Sequence, residues 1–245
     1  MRTLLRCPMS LRAALALGVL FVLATGAVTA DDRCVAARSL DLQRILAPPP
    51  SAGSTEQRAE LDQMLGIQAR RTPVDVTRAR ADEEISVFRF ADALGSPTSF
   101  RAERLPRTVA LFQDLFADER TVLDPAKNAF ARPRPFAAEP RLDPVVERPT
   151  SFSYPSGHAL FGTAAGLVLA DLVPERRAQI LSRAREYAQD RVVGGAHYPS
   201  DVEAGRIAGS ALVALLFDCA AFQAEEAAAR AELRKALELP VAAQP

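Results

Sequence analysis

The chain has 245 residues, of which 49% are hydrophobic and 24% charged, enough to bury a substantial core as one large domain or two small ones. Thirty basic residues balance thirty acidic ones, and no basic tract is present, so composition argues against a nucleic-acid binder. Only Lys127 and Lys235 are lysines among the basic residues, the rest being arginine, so each lysine needs a reason.

Residues 1–30 read as a secretory signal. Arg2, Arg6 and Arg12 form a positive start, residues 13–23 an apolar stretch, and Val28-Thr29-Ala30 a small-residue cleavage site. Cleavage after Ala30 leaves 27 basic against 30 acidic residues, a net charge of −3, and predicts a periplasmic or secreted protein. An uncleaved membrane anchor is the alternative. Cys7 leaves with the signal, so Cys34 and Cys219 remain. In an oxidising compartment they could pair and tie down the N-terminal arm, residues 31–53; a buried free thiol is the other reading.

The helical domain is expected over residues 54–245. Pro48-Pro49-Pro50 makes a stiff turn, and Ser54 with Gln57 forms a capping-box pattern that opens a helix to about Arg71. A further segment runs from Pro73 to about Leu94, with Val74, Val76, Ile85, Val87 and Phe88 facing a core, until Gly95-Ser96-Pro97 breaks it. Helical spacing of Val109, Leu111, Phe112 and Leu115 predicts a helix from Pro106 to about Phe116, and a separate helix contains Lys127 and Phe130. Arg132-Pro133-Arg134-Pro135 stops regular structure, and residues 136–154 form a connection longer than most loops.

Pro155-Ser156-Gly157 is a strong helix start: proline restricts φ, serine caps, and glycine lets another group approach the backbone. It opens an apolar helix that ends near Val173-Pro174. The next helix runs from Pro174 to about Val193 and stops at Gly194-Gly195. Ser200 with Glu203 then suggests a capping box for a helix from about Asp201 to about Phe222, followed by a polar one from Gln223 to Leu239. No alternating pattern calls for a sheet, so the expected class is all-α, a single-domain helical bundle. Asp171 and Asp218 interrupt the two most apolar helices short of the roughly 20 residues a membrane span needs, which predicts no membrane contact once the signal is removed.

Side chains able to do chemistry are few. His158 and His197 are the two histidines, and each stands at a glycine-containing turn entering a helix. Helix-start N–H groups favour an anion, and imidazole exchanges protons near neutral pH. Asp201 follows His197 by four residues, in reach of the ring, where a carboxylate on one nitrogen leaves the other free to attack. Lys127, Arg134 and Arg191, with the N–H groups of Ser156 and Gly157, could make a pocket for a dianionic tetrahedral oxyanion. Two histidines and no carboxylate cluster offer poor ligation for a two-metal phosphatase, so no metal or cofactor is expected.

Three spaced motifs, Lys127-x6-Arg134-Pro135, Pro155-Ser156-Gly157-His158 and Arg191-x5-His197-x3-Asp201, resemble the signature of the type 2 phosphatidic acid phosphatase and vanadium haloperoxidase superfamily. The signal peptide, proline-rich arm, residues 189–202 and polar C-terminal helix resemble bacterial class A nonspecific acid phosphatases. The resemblance implies the all-α fold of that superfamily and metal-independent phosphoryl transfer through a phosphohistidine. His197 would be the nucleophile, Asp201 its orienting partner and His158 the general acid, with Lys127, Arg134, Ser156, Gly157 and Arg191 holding the phosphate. Small phosphate monoesters would be substrates, inorganic phosphate or vanadate inhibitors, and a homo-oligomer is open. Opposite protonation needs of the two histidines favour mildly acidic conditions. One departure stands out: the motif usually begins Ser-Arg, whereas here it is Asp190-Arg191, and an acid beside a phosphate pocket repels substrate unless it points away. Alternatives are a lipid phosphatase, a vanadate-dependent haloperoxidase and a non-catalytic phosphate-binding protein.

Overall fold

A computed structural model describes residue 34, residues 40–95 and residues 98–240 of the chain. The expected signal peptide lies outside the described residues. In chain order the helices are α1 (Leu42–Ile45), α2 (Thr55–Arg70), α3 (Pro73–Ala81), α4 (Ala91–Leu94), α5 (Pro106–Phe130), α6 (Pro135–Ala138), α7 (Gly157–Leu172), α8 (Arg177–Val193), α9 (Pro199–Phe217) and α10 (Ala220–Ala236). Short 3-10 turns at Val87–Phe90, Ala102–Arg104 and Pro174–Arg176 join some of them, and no strand occurs among the described residues. The fold is all-α, as the periodicity predicts.

A helix apolar on every face has to be surrounded, and α7 is such a helix. Leu160, Ala164, Val168, Leu169 and Leu172 are fully buried. Glycines set how closely its neighbours come. A Cβ on Gly162 would lie 2.5 Å from the Tyr187 ring of α8, and one on Gly166 2.6 Å from Ala184. On the other side the small residues belong to α9, where a Cβ on Gly205 would meet the Ser156 carbonyl at 2.4 Å and one on Gly209 the Leu160 carbonyl at 2.5 Å. The neighbouring helices can therefore approach α7 closely, which brings the ends of α7, α8 and α9 together.

Several boundaries differ from the sequence reading. The two helices expected around residues 106–130 are one, α5, which runs through Pro125. A proline costs one backbone bond there, but Val122, Leu123, Ala126 and Lys127 around it are buried, and that packing outweighs the local cost. The N-terminus of α5 has no side-chain cap of its own. Glu232 of α10 supplies one, accepting the Arg107 N–H at 3.0 Å and the Thr108 N–H at 2.9 Å.

The 73–94 segment splits. Its first part ends at Ala81, because Asp82, Glu83 and Glu84 place acids at the negative end of the helix dipole. Val74, expected in the core, is 71% exposed. The last long helix breaks at Asp218-Cys219 rather than near Phe222, and α9 and α10 meet at 95°. Cys219 forms a disulfide with Cys34 at that corner, with Cα atoms 5.7 Å apart. The Ser200–Glu203 capping box does not start α9. Pro199 opens the helix, and the Asp201 side chain accepts the Tyr198 N–H at 2.9 Å instead. Among the described residues no single helix is long and apolar enough to cross a membrane.

Candidate active site

The site lies where the C-terminal ends of α5 and α8 meet the N-terminal ends of α7 and α9. Gly195, at φ 81°, reverses the chain after α8, and the Ala196 and His197 N–H groups fold back onto the Arg191 carbonyl. The Ser156 N–H donates to the Asp201 carbonyl at 2.9 Å. These two ties bring Arg191, His197, Asp201 and the Ser156–Gly157–His158 turn to one place.

His197 is 2% exposed. Its Nδ1 lies 3.3 Å from Asp201 Oδ2, and its Nε2 lies 2.8 Å from Arg134 Nη1. Guanidinium can only donate, so Nε2 carries the lone pair and Nδ1 the proton. Burial first, then Arg134, Lys127, Arg191 and His158, hold the imidazole well below its usual pKa, leaving it neutral. Asp201 is held in turn. Its Oδ1 accepts Arg132 Nη1 at 2.6 Å, and its Oδ2 accepts the Tyr198 N–H and the Ser153 hydroxyl. Arg132 also pairs with Glu60 at 2.7 Å and lies 3.7 Å over the Tyr198 ring.

Arg134 lies on Nε2, and the buried Lys127 and Arg191 act on the same ring through their charge. Lys127 donates to the Phe152 carbonyl at 2.7 Å, and burial followed by Arg134 pushes its amine down to about 7. Arg134 donates to the Ser151 carbonyl at 2.8 Å, the Ser151 hydroxyl at 3.0 Å and the Ala196 carbonyl at 3.0 Å; burial lowers it to about 10. Arg191 is 2% exposed, and its Nε and Nη1 have no partner among the described residues. Buried donors without partners are costly, and a bound oxyanion would satisfy them. The Ser156 N–H, expected to face the phosphate, is taken by Asp201. The Ser156 hydroxyl accepts the Ala159 N–H as the helix cap, and Gly157 stands at the first position of α7.

His158, partly buried, sits on the same turn. Its Nε2 lies 3.0 Å from the Glu83 carbonyl, and its ring lies against Tyr187, with centroids 6.0 Å apart and planes at 28°. Burial, Arg191 and further cations push it down to about 3, with the Glu83 carbonyl pulling the other way.

Asp190 points toward α3. It is fully buried against α3, where Arg78 holds it by two hydrogen bonds, Nε to Oδ2 at 2.8 Å and Nη2 to Oδ1 at 3.0 Å. Burial and the neighbouring Asp82 carboxyl raise it to about 6, against the pull of Arg78. Sequence reasoning missed Arg132, Ser153, Glu60 and the Glu83 carbonyl as supports of the site. Arg132 stood in the quoted Arg-Pro-Arg-Pro stretch, but its type is too common in this chain to single it out. A backbone carbonyl leaves no trace in sequence at all. Among the described residues no three His, Cys, Asp or Glu side chains are grouped to hold a metal ion.

The PAP2 superfamily model matches residues 110–224, the span carrying Lys127, Arg134, His158, Arg191, His197 and Asp201. The acid phosphatase of Zymomonas mobilis is 32% identical over 201 residues, covering 78% of this chain and 75% of that protein. The non-specific acid phosphatase of Salmonella typhimurium is 31% identical over 205 residues, covering 80% of this chain and 81% of that one. Among solved structures, a bacterial vanadium-dependent iodoperoxidase superposes with a TM-score of 0.55 at 20% identity. The superposition covers 71% of this chain and 52% of that one, a likeness of fold alone. By these relatives the chain belongs to the PAP2 superfamily, and within it to the bacterial non-specific acid phosphatases.

Proposed function

We propose that this acid phosphatase hydrolyses small phosphate monoesters outside the cytoplasm, in the periplasm or after secretion, through a phosphohistidine formed at His197 and without a metal ion. The observation that carries the reading is a neutral imidazole whose Nδ1–H is held by a buried carboxylate while its Nε2 lone pair faces Arg134, with the charges of Lys127 and Arg191 also acting on the ring.

In this reading the phosphate dianion satisfies the free Arg191 donors, and its charge draws Arg134 off Nε2. The Nε2 lone pair forms the N–P bond as the P–O bond to the leaving group breaks. His158, protonated because the dianion now faces it, gives its proton to the leaving oxygen. Asp201 stabilises the imidazolium side of the phosphohistidine. Water then attacks phosphorus with His158 as base, and inorganic phosphate and neutral His197 are regenerated. Inorganic phosphate and vanadate, as tetrahedral oxyanions, compete for the same donors.

The test is release of phosphate from p-nitrophenyl phosphate with and without EDTA, combined with rapid denaturation. Undiminished turnover in EDTA and an acid-labile, base-stable phosphoenzyme are expected. Loss of activity in EDTA, or a phosphoenzyme stable to acid, would overturn the mechanism.

A pH dependence follows from Lys127. Its amine is charged below about 7 and loses its proton above, so the free site carries one cation fewer on the alkaline side. kcat/KM is therefore expected to fall about tenfold per unit above that pH. In Lys127→Met the lower residual kcat/KM lacks this limb; a pH–rate profile of both proteins checks it.

A further inference from the structure

A general acid works only if its ring is held in one orientation and the correct nitrogen carries the transferable proton. Around His158 both conditions trace to a segment upstream of the residues matched by the family model. A carbonyl oxygen can only accept, so the 3.0 Å contact to Glu83 makes Nε2 the donor and leaves Nδ1 to serve the leaving oxygen. The next carbonyl, that of Glu84, accepts the Tyr187 hydroxyl at 2.7 Å, and Tyr187 is the ring that backs His158. Two consecutive carbonyls thus set the imidazole and the aromatic wall behind it.

Left alone, residues 82–84 are a poor platform. Three acids at the C-terminal end of a short helix repel one another and the helix dipole. Buried ion pairs at Asp82 and a backbone tie at Glu83 hold the turn in place. Asp82, fully buried, accepts Arg89 Nε at 3.0 Å and Arg183 Nη2 at 2.7 Å. One turn earlier, Arg78 grips Asp190 of α8 by both its Nε and Nη2. The Glu83 carboxylate accepts the Glu147 N–H at 2.5 Å, fastening the turn to the connection before α7. Asp190 is the residue that departs from the Ser-Arg form of the third motif, and it reaches across to α3 rather than into the pocket.

We propose that the 82–84 turn is the positioning element of the general acid, and that Arg78 and Asp190 act on the reaction by locking it to α8. The proposal rests on the reading of His158 as the proton donor. It assigns no contact with substrate to Arg78 or Asp190; they are positioning residues.

The distinguishing readout is the leaving group. p-Nitrophenolate departs without a proton, whereas an alkoxide needs one, so loss of general-acid alignment weighs on alkyl phosphates. In Arg78→Met and Asp190→Asn, kcat/KM for an alkyl phosphate is expected to fall about tenfold to a hundredfold more than for p-nitrophenyl phosphate. Inhibition by inorganic phosphate should be unchanged. Arg78→Lys, which keeps the charge but loses the two-pronged geometry, should fall between, and it carries the comparison if Arg78→Met does not fold. Equal losses on both substrates, or none, would overturn the proposal. His158→Ala separates the two layers of argument. If it shows no excess loss on alkyl phosphate, the general-acid reading fails and takes the proposal with it. If His158→Ala shows the excess and the Arg78 and Asp190 variants do not, the positioning proposal alone falls.

Discussion

His197→Ala should give a folded protein that binds inorganic phosphate and releases essentially none from p-nitrophenyl phosphate, a loss in kcat of about four orders of magnitude or more. The proposed nucleophile is removed while its surroundings stay satisfied. Asp201 loses the imidazole but keeps Arg132, the Tyr198 N–H and the Ser153 hydroxyl, so no buried carboxylate is orphaned. Arg134 loses Nε2 and keeps three oxygen acceptors from Ser151 and Ala196. The cationic cradle of Lys127, Arg134 and Arg191 is untouched, so phosphate affinity should remain near that of the wild type. Steady-state kinetics with calorimetric titration of phosphate would measure both sides. Activity within tenfold of wild type would exclude His197 as nucleophile, whereas loss of phosphate binding would mean that the ring holds the ground state. Asp201→Ala contrasts with it: leaving Arg132 buried without this carboxylate should cost about 3–5 kcal/mol, so that variant tests stability as much as catalysis.

Gly205→Ala is expected to be the most damaging glycine-to-alanine change among the described residues. The added Cβ would meet the Ser156 carbonyl at 2.4 Å, Ala159 Cβ at 2.8 Å and the Leu160 nitrogen at 3.1 Å. Two of these are backbone atoms at the start of α7, which cannot rotate away. To accommodate the methyl, α7 must move off α9, and that movement strains the Ser156 N–H bond to Asp201 and separates His158 from His197. Overpacking of this kind costs about 3 kcal/mol, or roughly 6–12 °C in melting temperature for a domain of this size. Activity should fall with it. Gly66→Ala is the control: its Cβ would meet only the flexible guanidinium of Arg70, at 3.4 Å, so a gain of about 0.5–1 kcal/mol in helix stability is expected. Thermal melts of the two variants decide the matter, and a wild-type melting temperature for Gly205→Ala would contradict the closeness of α7 and α9.

Much of this protein was legible before any coordinates. Absence of strand periodicity predicts the all-α class, the Pro155-Ser156-Gly157 start marks α7 to within a residue, and the unusual lysine at 127 is buried near Arg134. These features are local, because backbone propensity, capping and scarcity of a residue type are written in neighbouring positions. The four-residue spacing of His197 and Asp201 belongs with them, since one helical turn suffices to bring the pair together.

Other features depended on partners far away in the chain. Whether α5 survives Pro125 was decided by what buries Val122 and Ala126, and the cap of α5 comes from Glu232 of α10. The corner between α9 and α10 falls at Cys219, which is bonded to residue 34. At the site, Arg132 was one arginine among many until Asp201 and Glu60 met it, and the Ser156 N–H was available on paper but is taken by a carbonyl of α9. Asp190 looked like a charge set against the substrate until Arg78, more than a hundred residues earlier, turned it toward α3. The chain by itself therefore determined which chemistry was possible, since residue types and short spacings supply an imidazole with a carboxylate one turn away and a few basic side chains, whereas burial and distant cations make that imidazole neutral. Only the tertiary structure decided which donors remain free and which acids face away, because a buried polar group is satisfied by whatever packing brings to it, at any distance in sequence.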